Sequence, residues 1–134
     1  MKIRKGFVSN SSTSSFIVGI PKDLSEEEKK IFLINKMGGE KSIFSEMFEP
    51  IANLILGGDI GEERILEYWG EDSLEGLKEN CSDMYDIIMK CREKGLEIHM
   101  GSADDQSSDR SEISFCGMTI YVDEDDFFFD KEGR

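Results

Sequence analysis

The chain has 134 residues, a length that suits one domain, and its sixteen Lys and Arg against twenty-nine Asp and Glu give a formal net charge of -13. Hydrophobic residues make up 38%, enough for one compact core, and no apolar run reaches the roughly 18 residues of a membrane span. Composition excludes collagen-like, disulfide-scaffold and wholly disordered classes. The basic start Met1–Lys5 is not followed by the apolar stretch of a secretory signal, so an acidic, cytoplasmic globular domain is expected.

In chain order, Gly6-Phe7-Val8 is a short strand candidate, and residues 9–15 form a run of small polar residues that favours a loop. Phe16–Ile20 reads as a strand stopped by Pro21. Ser25 and Glu28 have the spacing of a capping box and open a helix over residues 24–37, closed by Gly38-Gly39. Ser42 is placed to cap a second helix to Leu56, in which Phe44, Met47, Phe48, Ile51, Leu54 and Ile55 recur at three and four; Pro50 predicts a kink or break near Phe48 or Glu49. Gly57-Gly58 should end it. Asp59 and Glu62 repeat the capping spacing before a short helix carrying Ile65, Leu66, Tyr68 and Trp69. Asp72 and Glu75 repeat it again, and one helix is predicted over residues 73–94, ended by Gly95. Leu96–Met100 then alternates as a half-buried strand does, residues 101–111 read as a polar loop, and Ile113–Val122 as one long strand bulged at Gly117. Phe127–Phe129 would add an edge strand. Its three consecutive rings cannot share one face, so either both sheet faces are covered or an apolar edge is exposed that would favour a homo-oligomer. The class is α+β: about four helices packed on a small, mainly antiparallel sheet, in one domain.

Charge is unevenly spread. Residues 1–22 hold four bases and no acid, so the rest of the chain sets twelve bases against all twenty-nine acids. Such a body should repel nucleic acid and anionic membranes and suit a basic protein partner.

The opening Lys2-Ile3-Arg4-Lys5-Gly6-Phe7-Val8-Ser9-Asn10-Ser11-Ser12-Thr13-Ser14-Ser15-Phe16 resembles a recurrent start of small bacterial and phage proteins. Those begin with a basic residue or two, then Gly-Phe-Val-Ser-Asn, a serine run and a phenylalanine; Thr13 is the one departure here. The segment Gly101-Ser102-Ala103-Asp104-Asp105-Gln106-Ser107 is similar, more loosely, to a stretch in some of them. The resemblance implies a family but brings no activity with it.

Catalytic and metal signatures are weak. No Cys-x-x-Cys occurs, and Cys81, Cys91 and Cys116 read as buried free thiols, with Cys81 and Cys91 too far apart on one helix for a disulfide. EF-hand loops started at Asp104, Asp105 or Asp123 all lack the glycine and the final glutamate; a looser cation site from Asp104, Asp105 and Asp109 stays a candidate. A Ser/His/Asp set would have to use His99, the single histidine, expected on the solvent face of its strand, and no Gly-x-Ser-x-Gly elbow exists; Cys116 with His99 is conceivable if their strands pair. The tract lacks a P-loop pattern, although its backbone N–H groups beside Lys2, Arg4 and Lys5 are suited to anions. Tyr68, Trp69 and Phe127–Phe129 are read first as core and second as partner anchors.

Two readings follow. In the first, the chain is a non-catalytic protein-interaction module without cofactor or metal, and Ser9, Asn10, Ser11, Ser12, Thr13, Ser14 and Ser15 form its contact or modification segment. In the second, it is a small enzyme or phosphate- or nucleotide-binding protein using that tract and the Asp104–Asp109 loop. They are discriminated by where the segments meet: Ser9–Ser15 and Ser102–Ser108 lining one concave pocket would favour the enzyme or ligand reading, and a disordered tract or one on a convex surface the interaction reading. Phe7 and Phe16 are expected to be buried and most of residues 9–15 exposed, with the two apolar stretches pairing as a hairpin.

Overall fold

The computed structural model describes residues 13–38, 45–104 and 110–132. Five strands, β1 (Thr13–Pro21), β2 (Asp59–Ile60), β3 (Leu96–Asp104), β4 (Ile120–Glu124) and β5 (Phe127–Lys131), form one sheet in the order β2-β3-β1-β5-β4. Every neighbouring pair is antiparallel. The described helices are α1 (Glu26–Lys36), α2 (Ser45–Leu56), α3 (Glu62–Trp69), α4 (Leu74–Asn80), α5 (Ser82–Lys94) and α6 (Arg110–Cys116). The class is α+β, with six helices rather than about four.

The sheet is a middle layer. On one face Ile17, Leu96, Ile98, Met100 and Phe128 pack under Ile65 and Trp69 of α3, Leu77 of α4 and Met84, Ile88 and Cys91 of α5. On the other, Phe16, Val18, Ile20, Ala103, Phe127 and Phe129 meet Leu33 of α1, Ile51, Ala52 and Ile55 of α2, and Phe115 and Cys116 of α6. This explains the unbroken apolar runs of β1 and β5: alternate side chains go to opposite cores, so every position is apolar. The three phenylalanines therefore divide between two covered faces, and β5 lies inside the sheet while β4 is the edge. Gly19 lets α5 close on the sheet, because a Cβ there would lie 2.9 Å from Cys91 Sγ. Gly58 follows α2 so closely against the Met100 carbonyl that any side chain would strike that backbone.

Several local expectations are met. Ser25 caps α1 with a full capping box, its hydroxyl accepting from Glu28 N–H and Glu28 accepting from Ser25 N–H. Gly95 closes α5 in the left-handed region, at φ 69°. Others are corrected. The stretch 73–94 is two helices, divided at Cys81 (φ -151°, ψ 71°), where Asn80, Ser82 and Asp83 favour caps over helix interior. Its first cap is Ser73, which accepts from Gly76 N–H, not Asp72. Asp59 does not cap α3; it pairs in β2 with Met100, and Gly61 takes the cap position. α2 runs through Pro50 without a break. Residues 110–116 are helical, not extended: Phe115 and Cys116 are adjacent and both buried, and Glu112 in the first turn accepts the Asp104 N–H at 2.8 Å. Gly117 ends that helix by bonding Ser114 O and is no bulge. β3 runs to Asp104, so the polar loop begins later than the sequence implied.

Phe16 is fully buried as expected, while Phe7 lies outside the described residues, as does the cap expected at Ser42. The proposed hairpin with residues 7–8 finds no free edge at residues 16–19, because β3 and β5 already occupy both sides of β1 there.

Candidate functional site

The serine tract and the acidic segment meet. Thr13, Ser14 and Ser15 are the first residues of the central strand, and their partners are Asp104, Ala103 and Ser102. The end of the tract is thus strand, and Ser15 is only 8% exposed, against the expectation of an exposed loop. Ser9 to Ser12 and Asp105 to Asp109 lie outside the described residues. Of the cation candidates Asp104 alone is described, half-buried at the end of β3, and no group of three metal-ligating side chains exists among the described residues.

Beside this pairing is a cleft of about 130 Å³ lined by Ser15, Met100, Gly101, Ser102, Asp59, Tyr68 and Trp69. Its construction follows from register. Ser15 and Ser102 are cross-strand partners with the parity of Ile17 and Met100, so they continue the face that α3 covers. Asp59, opposite Met100 on the short edge strand, supplies one wall. The last two residues of α3 supply the other: Trp69 is buried against the core, and Tyr68 is 50% exposed. Arg64 lies outside this lining, 3.9 Å from Asp59 and 3.2 Å from Glu67. No basic side chain lines the cleft among the described residues.

His99 contradicts its expected position. It is 1% exposed, because the second face of the sheet is covered by α1 and α2 rather than by solvent. Its Nε2 lies 2.8 Å from Glu97 Oε1, and Lys29 Nζ reaches the same oxygen at 2.7 Å. Burial lowers the His99 pKa, against the pull of Glu97. Burial acts to raise Glu97, but the hydrogen bonds from Lys29 and His99 overcome it and leave the carboxyl below its ordinary range. The neutral imidazole therefore donates through Nε2 to the carboxylate, and buried Nδ1 has no hydrogen-bond partner. By strand parity His99 is on the face opposite Ser102 and Ser15. The sheet separates the single histidine from the cleft hydroxyls, and no Ser/His pair forms among the described residues.

The thiols are buried and free, with Cys81 at the α4/α5 junction, so the three are not joined in pairs. Burial pushes the Cys91 thiol up to about 11. Cys116 lies at the end of α6, where its Sγ is 3.5 Å from Ala103 O, and not on a strand beside His99. Lys131 is a further buried group that the sequence did not single out. Its ammonium donates to Cys116 O at 2.9 Å and Met118 O at 2.6 Å, 5.1 Å from the centre of the Phe115 ring, and burial brings its pKa down to about 8. No family model matches the chain, and neither a curated protein nor a solved structure matches it.

Sequence reasoning named Ser15, Tyr68 and Trp69 and raised Ser102 as a possible neighbour of the tract, but missed Asp59. Asp59 looked like a cap, and a two-residue edge strand leaves no alternation to read.

Proposed function

We propose that the chain is a non-catalytic interaction module whose contact surface lies where residues 13–15 pair with residues 102–104. Ser15 and Ser102 line one cleft, which by itself favours the ligand reading; the observation that supports the interaction reading is half-exposed Tyr68 at the wall of that mainly apolar cleft. An exposed aromatic ring at the rim of a depression is the kind of feature that anchors a partner side chain. Ser15 is too buried for modification, so the modification role of the tract is assigned to residues 9–14, while Ser15 belongs to the contact surface. The phosphate or nucleotide reading is disfavoured by Asp59 in the lining and by the lack of any lining base among the described residues. Hydrolytic chemistry is disfavoured by the burial of His99 behind the sheet.

A photo-crosslinking residue at Tyr68, compared with one at exposed Ile31 on α1, tests the assignment in a lysate of the source cells. A discrete protein adduct at position 68 that is absent at position 31 is expected. Adducts that are equal at the two positions, or confined to position 31, would refute the placement of the contact surface.

A further inference from the structure

We propose that the cleft receives the cationic side chain of a basic partner protein, with arginine the best fit; this rests on the interaction reading and names the partner's chemistry. Four features converge. Asp59 contributes a carboxylate to the wall, and its side chain is more than half exposed, so an incoming cation need not displace a buried ion pair. Tyr68 and Trp69 contribute aromatic surface, which attracts a guanidinium through the ring quadrupole. Both residues belong to the C-terminal turn of α3, the end that carries the helix's fractional negative charge. Ser15 and Ser102 are cross-strand partners that both line the cleft, and hydroxyl side chains suit a planar fork of N–H donors better than a point-like ammonium.

The surroundings agree in sign. Among the described residues Arg64 is the nearby base, and it is shared between Asp59 and Glu67, so this trio keeps a net charge of -1. Asp104 has the strand parity of Ser102 and lies two positions further along β3, adding a second acid on the same face. A volume of about 130 Å³ admits one side chain and not a folded element, so the partner inserts a residue and holds it by contacts at the rim. With a formal net charge of -13, the whole chain attracts such a partner over longer range.

Trp69 is the single tryptophan of the chain and lines the cleft, so its emission reports occupancy directly. The probes are an acetylated and amidated Gly-Arg-Arg-Gly peptide, its counterpart with citrulline in place of arginine, and inorganic phosphate, each titrated into the full chain. Citrulline keeps the shape and removes the charge. The arginine peptide is expected to give a saturable change, with the citrulline peptide weaker by about fivefold, the joint effect of one exposed cation–π contact and one surface ion pair. Asp59→Asn should remove most of that discrimination, and Tyr68→Ala should weaken the arginine peptide while Tyr68→Phe preserves it. Near-UV circular dichroism confirms that each variant keeps its fold; Asp59 and Tyr68 are both half-exposed or more. Equal affinity for the two peptides, unaltered discrimination in Asp59→Asn, saturable binding of phosphate, or no response up to about 10 mM peptide, the edge of measurable affinity, would each overturn the inference. A charge-independent response together with a Tyr68 adduct would refute the cationic ligand and leave the interaction surface standing. Absence of the adduct would refute the surface itself.

Discussion

Replacing Lys131 by methionine should change the pH dependence of stability in a way few other substitutions in this chain can. Lys131 is fully buried, and its ammonium faces backbone carbonyls and a phenyl ring, with no carboxylate among the partners that hold it. The carbonyl dipoles hold the charge, but burial brings the pKa from 10.5 to about 8. Between those values the unfolded chain binds more protons than the folded one, so stability rises with pH from about 8 and levels off above the unfolded value. From pH 7 to pH 9 the gain is about 1 kcal/mol by linkage. Cys91 has the opposite slope: its thiol stays protonated in the fold up to about 11 while the unfolded thiol ionises near 9, so that contribution falls above pH 9. That loss begins as pH nears 9, where half of the unfolded thiol is ionised, but Cys91 is common to both proteins, so the difference between wild type and Lys131→Met over the window from pH 7 to pH 9 isolates the lysine. Urea melts of the wild type and Lys131→Met across it should show the rise in the wild type and not in the variant. Equal slopes would refute the reasoning. The variant's stability at pH 7 reports separately on the carbonyl contacts: losing two charge-assisted hydrogen bonds costs about 3–6 kcal/mol before the relief of an uncharged side chain is subtracted.

Phe16→Ala should cost about 3–5 kcal/mol in denaturant melts, because the ring is fully buried and packs 5.7 Å from the Phe115 ring in the second core; a loss under about 1 kcal/mol would mean that the site collapses around the cavity. The folded-state pKa of His99 lies below the ordinary 6.5, so its contribution is present above that value and is lost as pH falls below it. Thermal melts from pH 7.5 to 5.5 should show a steeper acid loss in the wild type than in His99→Gln, and parallel curves would refute the buried neutral imidazole. A thiol reagent at pH 7.5 should label none of the three cysteines in the folded protein and all three in denaturant, since each is buried; rapid native labelling of Cys81 would show that the α4/α5 junction opens.

What was legible followed from local chemistry. The capping box at Ser25, the glycine after α5 and the apolar run of β1 are signals carried within a few residues, and each holds. What was misread depended on tertiary context. His99 alternates with Leu96, Ile98 and Met100 in the manner of a solvent face, yet α1 and α2 cover that side and Lys29 and Glu97 come with it. Ile113 and Phe115 alternate like a strand, but the helix there is fixed by contacts from Phe115 and Cys116 to the core and by Glu112 to the end of β3. A stripe running from Leu77 to Cys91 reads as one helix because both halves face the same core, and the turn at Cys81 leaves that periodicity almost intact. In the cleft, the tract and the polar segment were both visible as unusual runs. Their adjacency was not, because it is set by the long-range pairing of β1 with β3, and single-sequence patterns carry no register between strands more than seventy residues apart.

The arrangement of the cations explains how this chain presents so acidic an exterior. Lys29 is drawn under α1 to Glu97, and Lys131 is enclosed within the second core. Lys36 is held by Glu124 and Asp126, Lys90 and Lys94 share Asp123, and Arg92 grips Glu62 with both arms. Each of these pairs joins elements far apart in sequence: α1 to the β4–β5 turn, α5 to β4, α5 to α3. These described bases thus act as ties within the fold, and the excess of acids over bases sets the sign of the net charge. With a formal net charge of -13, such a surface is expected to repel a phosphate backbone, and the described bases already engaged would add little counterion release. A cationic protein meets attraction at long range, and the cleft beside Ser15 and Ser102 offers that attraction one place to become a specific contact.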